Sequence, residues 1–339
     1  MTPPLVLSVA TNLEDLLLVE PEWKELWLAA AGATPFQAPG WLIPYVHVFR
    51  PNALRVALVR RGRRLIALFP FFIDDSSGRP VLKILGVGVS DYLDALCCPK
   101  EELAVSGLLE AWLGQELERC QYAEFGQLRE DATLRRIPRP GVFREDLVPG
   151  VPCPILSLGS KTPALCLAPS IRRNLRYSFR QAEKLGRVRL EIANQESIEA
   201  ALRDLFSLHR KRWRSRGLPG IFETQEQQAF YREAFCALHR TSTTKIFTLL
   251  LEEDPIAALA GFSHNQVLYH YIGAFDPDYV KIGPGNMIIF EAIDFAFKAG
   301  CVSFDFLRGQ EPYKYKWGAR DQKTFVRRIL PSLTEGELS

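Results

Sequence analysis

Three consecutive stretches decide how this chain folds: Val267-Leu268-Tyr269-His270-Tyr271-Ile272-Gly273-Ala274-Phe275, then Asp276-Pro277-Asp278-Tyr279-Val280-Lys281-Ile282-Gly283-Pro284-Gly285, then Asn286 to Ala299. The first is rich in β-branched and aromatic residues and reads as a strand. The last reads as a helix closed by Gly300. A further strand, Val302–Leu307, follows, so strand, loop, helix and strand form a crossover that makes the two strands parallel. Gly283 and Gly285 at the mouth of the helix let backbone N–H groups approach a phosphate, and the helix dipole adds to the attraction. Lys281 would supply a full charge beside them. On the loop alone, an ordinary Gly-Pro turn before a helix reads equally well.

Working upstream, Lys245–Glu252 and Ile256–Ser263 are strands joined by hairpin-length turns, Glu253-Asp254-Pro255 and His264-Asn265-Gln266. Thr224 and Gln227 form a capping box for a helix to Arg240. Asn194–Arg216 is a helix with Ile198, Leu202, Leu205, Phe206 and Trp213 on one side, Val188–Ile192 is a strand, and Ser170–Leu185 a helix. The first half shows a similar order: strand 5–10, helices 21–31 and 41–49, each opening near a proline, and strands 54–60, 65–73 and 81–87. Helix 101–119 and strand 122–128 follow. Between the halves, Pro138, Pro140, Pro149, Pro152, Pro154, Pro163 and Pro169 cluster where periodicity is poor. The expected organisation is therefore a domain at 1–150, a proline-rich connection at 151–169, a second domain at 170–332 that takes the final strand 324–330, and a tail at 333–339.

The 339 residues are 47% hydrophobic and 24% charged, with 42 Lys+Arg against 39 Asp+Glu, a globular composition that excludes disorder, collagen and coiled coil over most of the length. Seven cysteines without CxxC spacing argue against a disulfide framework or a zinc site, and His47, His209, His239 and His264 have no metal-ligand spacing. No metal is expected. The N-terminus lacks the basic opening of a signal peptide and no apolar run is long enough to span a bilayer, which implies a cytoplasmic chain, with peripheral contact at the inner face of the membrane left open.

Charge is unevenly distributed. Residues 170–216 hold 13 Lys+Arg and 5 Asp+Glu, a local +8 in a chain whose total is +3. Arg172, Arg176, Arg180 and Lys184 recur every fourth residue and form one helical stripe. A solvated helix face is the ordinary reading of such a stripe. The lopsidedness favours an anionic partner: a nucleotide-linked sugar, a lipid diphosphate, tRNA or an acidic membrane surface. Sparse aromatic interleaving weakens single-stranded nucleic acid, and no DNA-binding motif is present.

The order of elements, with a pyrophosphate-type loop after the fourth strand of the second half, resembles the GNAT acyltransferase superfamily. The stretch Asp305-Phe306-Leu307-Arg308-Gly309-Gln310-Glu311-Pro312-Tyr313-Lys314-Tyr315-Lys316-Trp317-Gly318-Ala319 resembles the signature of its Fem-like branch, particularly the CelD-type acetyltransferases of cellulose and exopolysaccharide loci. Arg172–Gly186 and His209-Arg210-Lys211-Arg212-Trp213 resemble the same branch. The likeness covers about 160–330 well and 1–150 more loosely, through Asp91-Tyr92-Leu93-Asp94. It implies an α+β (α/β) chain of tandem GNAT-like domains, each a mixed, mostly antiparallel sheet flanked by helices. The N-terminal domain would be degenerate.

The resemblance also implies an acyl-CoA, with acetyl-CoA the first choice, lying in a slot between splayed strands 267–275 and 302–307. The first strand, through Tyr271 and Ile272, would hold the pantetheine and polarise the thioester, while Lys281 and Gly283–Asn286 would hold the pyrophosphate. One departure is that Val280 stands where the superfamily's loop carries Arg or Gln. Direct transfer to an amine or hydroxyl needs a base and a proton donor for the thiolate. Asp305 is the candidate base or substrate-orienting group, with a salt bridge to Arg308 or a nearby lysine as its structural alternative. Tyr313 is the candidate acid, and His270 either joins Asp305 or is a satisfied core histidine. Lys314, Arg308, Glu311, Trp213, Arg172 and Arg176 are the candidate acceptor-binding residues. The acceptor implied by resemblance is a saccharide or other small molecule of the cell envelope or an exopolysaccharide. The alternatives are a Fem-type transferase using aminoacyl-tRNA on a peptidoglycan precursor, and a non-catalytic module of a polysaccharide-synthesis assembly.

Overall fold

A computed structural model describes residues 3–159, 162–163 and 167–332; Cys166 and the tail 333–339 lie outside them. The chain divides into two compact units, Met1–Val151 together with the chain from Lys323, and Pro152–Gln322.

In the first unit, strands β1 (Leu5–Ala10), β2 (Leu54–Arg61), β3 (Arg64–Asp74), β4 (Val81–Ile84), β5 (Leu96–Cys97), β6 (Tyr122–Arg129) and β7 (Phe143–Pro149) share a sheet with the last strand of the chain. Helices α1 (Leu13–Ala29), α2 (Pro39–Phe49), α3 (Glu102–Leu117) and α4 (Thr133–Arg136) belong to this unit. The helix expected to open at Pro21 starts at Leu13 instead. Asn12 caps it by accepting from the Asp15 N–H at 2.8 Å, and Pro21 lies inside it. Phe71 stacks on Trp112 and Phe125, joining sheet and α3 in one core.

The second unit holds β8 (Cys153–Ser157), α5 (Pro169–Glu183), β9 (Val188–Ile192), α6 (Ile198–Arg214), α7 (Gln225–His239), β10 (Thr244–Leu251), β11 (Asp254–His264), β12 (Val267–Phe275), α8 (Pro284–Lys298), β13 (Ser303–Asp305), α9 (Pro312–Lys316) and β14 (Arg320–Gln322). Its sheet runs β14-β8-β13-β12-β11-β10-β9. All neighbours are antiparallel except β12 and β13, the crossover pair. The first unit has the same exception at the same topological place, where β4 and β6 are parallel across α3. Two similar folds in tandem are therefore present.

The expected boundaries need correction at both ends. The stretch 151–169 is not only a connection, because β8 pairs with β13 and β14 and completes the second sheet. The final strand, β15 (Thr324–Pro331), leaves the second unit and sits between β6 and β7 of the first. Side chains explain this: Ile329 is fully buried in the first core, and buried Arg327 pairs with Glu145 on β7 and donates to the Leu134 carbonyl. A guanidinium in a core is tolerable only where its charge is met, so Arg327 ties β15 to this sheet.

Candidate active site

The parallel pair that positions the site is short. β12 meets β13 at only three positions, Val267↔Ser303, Leu268↔Phe304 and Tyr269↔Asp305, and then continues for six residues past its partner. β13 stops because Asp305, almost fully buried, accepts the Leu307 N–H at 2.7 Å, and Leu307 adopts a left-handed φ of 58° that turns the chain away. On the other edge of β12 the register slips between Ala260 and Gly261, leaving Tyr271 as the extra residue of a β-bulge. A Cβ on Gly261 would overlap the Tyr269 carbonyl oxygen, so only glycine lets the bulge form there.

A cavity of about 310 Å³ opens beside the unpaired part of β12. His270, Gly273 and Phe275 line it from the strand, Gly283 to Asn286 from the start of α8, Arg212 and Arg216 from the end of α6, and Tyr313 from α9. Gly283 is the N-cap of α8, with φ 68°, and a Cβ there would be strained as well as close to the Ser178 hydroxyl. The Gly285 N–H lies in the first helical turn, where intrahelical acceptors are missing, and Gly285, Arg212 and Arg216 all line the cavity. This corner is cationic, and its open backbone donor is the Gly285 N–H, because the Gly283 and Asn286 N–H groups bond the Val280 and Gly283 carbonyls and Pro284 has none.

Of the sixteen residues singled out from the sequence, the cavity gathers His270, Tyr313, Gly283, Pro284, Gly285 and Asn286. His270 is buried, and its Nδ1 has no hydrogen-bond partner among the described residues. Burial, with help from Lys314 and Arg212, pulls its pKa down to about 3, so the ring is neutral. A neutral imidazole whose Nδ1 lacks a partner among the described residues can accept or donate a hydrogen bond at the cavity wall. Burial, with the Glu311 carboxylate adding, pushes the Tyr313 phenol up to about 12 and keeps it a proton donor.

The other residues fall elsewhere. Asp305 is outside the cavity lining, and its Oδ1 accepts the Leu307 N–H where β13 ends. Lys314 is not an open cation for an acceptor: 3% exposed, it donates to the carbonyls of Leu307, Arg308 and Gly309 at 3.0, 2.8 and 3.1 Å and pairs with Glu311 at 2.9 Å. Arg308 and Glu311 are exposed beside it and outside the cavity lining. Lys281 is exposed on the turn before α8, and Val280 is the residue of that turn which lines the cavity. The Tyr271 ring packs among Tyr231, Phe235 and Phe262, and Ile272 is buried outside the cavity lining. Trp213 packs on His209, with Arg216 near its ring. Arg172 and Arg176 line a second cavity, along α5.

Arg212 and Arg216 were not singled out. Arg212 donates to the Gly273 carbonyl at 3.0 Å, lies over the Phe275 ring, and keeps a buried Nε without a partner among the described residues. The signal was present in the helical phase: the buried face of α6 runs through Ile198, Leu202, Leu205 and His209, and continuing it reaches Arg212 and Arg216. No group of three or more His, Cys, Asp or Glu among the described residues could hold a metal ion.

Residues 169–315 match a family model described as an acetyltransferase (GNAT) domain. The whole chain is similar in fold to FemX (TM-score 0.63, 11% identity, 91% of this chain and 95% of that one). It is similar to the C-terminal domain of a putative lysylphosphatidylglycerol synthetase from Agrobacterium fabrum (TM-score 0.59, 9% identity, 95% and 93%). It is also similar to a tandem GNAT protein from the clavulanic acid biosynthesis pathway (TM-score 0.50, 12% identity, 98% and 100%). No curated protein matches the chain in sequence. The chain is thus built of tandem GNAT-like domains, with the acetyltransferase family match on its second unit.

Proposed function

We propose that the second unit transfers an acyl group, acetyl in the first instance, from acyl-CoA to an amine or hydroxyl by direct attack. The observation that carries this reading is the early end of the β12–β13 pairing, which leaves β12 backbone open beside a cationic helix N-terminus. The cradle at Gly283–Asn286, with Arg212 and Arg216, has the chemistry to hold a pyrophosphate. A pantetheine would lie along 270–275, where main-chain groups can meet its amides. As the acceptor's nitrogen or oxygen bonds to the thioester carbon and the C–S bond breaks, Tyr313 gives its proton to the departing sulfur. The proton released by the acceptor restores the phenol. His270, held neutral, orients the acceptor or the thioester through a ring nitrogen. An amine that arrives uncharged needs no strong base, which suits a site with no carboxylate among the described residues of its lining. The likeness of 305–319 to CelD-type enzymes favours a cell-envelope or exopolysaccharide acceptor.

The test is thermal unfolding with acetyl-CoA, longer acyl-CoAs and charged tRNA, because a donor that binds only the native state raises the melting temperature. Stabilisation by acetyl-CoA supports the reading. Stabilisation by charged tRNA alone would replace it with an aminoacyl-tRNA-dependent transferase, which the +8 balance of 170–216 favours as the second reading. No response to any donor would leave a binding module.

A further inference from the structure

We propose that the groove along α5 is a binding site for a phosphate-headed lipid, separate from the acyl-donor cavity. The groove, of about 540 Å³, lies against Phe290 of α8 and is large enough for a small amphiphile. Its floor is apolar: Leu167 and Leu175 are buried, and the Phe179 and Phe290 rings meet edge to face at 6.5 Å. Its rim is cationic, made by Arg172, Arg176 and Arg180, one turn apart.

These arginines differ from their neighbours in the same basic stretch. Arg189 is paired with Glu191 and Glu253, and Lys211 with Asp276 and Asp278, so those charges are already met. Arg172, Arg176 and Arg180 have no ion pair among the described residues, and the Arg180 Nε donates to the Arg176 carbonyl, which lays its guanidinium along the helix. Glu183 is the one acidic residue among the described residues that line the groove. Cations on the rim of an apolar trough complement a molecule with a phosphate at one end and a hydrocarbon at the other. A nucleic acid would use the same rim and stack a base on the rings, but the buried leucines would gain nothing from it, so tRNA is the competitor in the test. The groove also has its own lining, sharing α8 with the donor cavity but none of its residues.

The experiment pairs vesicle flotation with a soluble probe. Wild-type protein should float with phosphatidylcholine–phosphatidylglycerol vesicles and not with phosphatidylcholine alone, and a short-chain phosphatidic acid in monomeric form should bind where inorganic phosphate does not. The Arg172→Gln/Arg176→Gln/Arg180→Gln variant should lose partitioning by about a hundredfold, at about fivefold per arginine, with an unchanged circular-dichroism melting curve. Phe290→Ser should weaken the phosphatidic acid and leave the adsorption set by the arginines largely intact. Equal flotation with both vesicle types, an unaffected triple variant, inorganic phosphate competing as well as the lipid, or tRNA displacing it at equal concentration would each overturn the proposal. Acetyl-CoA stabilisation of the triple variant is read separately, so failure here is distinguishable from failure of the transferase reading.

Discussion

Arg212 donates from Nη1 to the Gly273 carbonyl at 3.0 Å while its guanidinium lies 4.4 Å from the centre of the Phe275 ring. One side chain therefore braces the open stretch of β12 and brings a positive charge to the cavity that α8 opens onto. Arginine suits this because its planar fork can stack, bond the carbonyl and keep donors for an anion. Arg212→Gln should weaken acetyl-CoA binding about tenfold to a hundredfold, the range expected when a charged hydrogen bond is lost, as measured by isothermal titration. An unchanged affinity with a lowered melting temperature would make Arg212 a brace alone.

Tyr313 reaches the same cavity from α9 with its phenol held protonated. Tyr313→Phe keeps the ring against Phe306 and removes only the hydroxyl. The rate constant kcat should fall about a hundredfold or more while the donor dissociation constant stays put, as for a general acid. If kcat and affinity fell together, the hydroxyl would be a binding group.

Lys314 holds the segment that places Tyr313. Lys314→Met leaves three carbonyls at 307–309 without their donor, and should cost about 2–4 kcal/mol in urea unfolding. A lysine that served only to bind an acceptor would instead raise KM with little loss of stability.

Such contrasts show which features the sequence made legible. Strand 267–275 and the helix after it were readable because alternation, a glycine loop and a closing glycine all agree locally. The early end of β13 was not, because Asp305 looks like a reactive carboxylate until its bond to the Leu307 N–H is seen. Lys314 stands between two tyrosines in what reads as a polar loop, and only the returning carbonyls explain its burial. The exchange of β8 and β15 between sheets is a matter of long-range packing, which local pattern does not encode. Asp94, part of the motif that suggested likeness in the first half, is a half-buried acceptor for the N–H groups of Thr133 and Leu134.

Gly261 tests the bulge that shapes β12. Gly261→Ala would drive a Cβ onto the Tyr269 carbonyl oxygen, backbone that cannot give way cheaply. The variant should lose about 2 kcal/mol or more and bind acetyl-CoA poorly even at temperatures where it stays folded. Full stability would mean that the strand forms equally well without the bulge.

The two units should respond to acid in opposite directions. In the first, burial raises the pKa of Asp94 to about 6 against three backbone N–H bonds and Arg129 that oppose it. A carboxyl with a raised folded pKa takes up its proton more readily when folded, so the stability it contributes is present at low pH and lost as pH rises through about 6. In the second, burial lowers His209 and His264 to about 4 and His270 to about 3. Once pH falls below the ordinary histidine value of about 6.5, the unfolded chain binds these protons and the folded one does not. Lowering pH from about 7.5 to about 5.5 should therefore stabilise the first unit by about 1 kcal/mol and destabilise the second by roughly 1 kcal/mol per histidine. Hydrogen exchange read by mass spectrometry, corrected for the intrinsic pH dependence of exchange, resolves the two units. Protection moving the same way in both would show that these four groups do not govern the acid response.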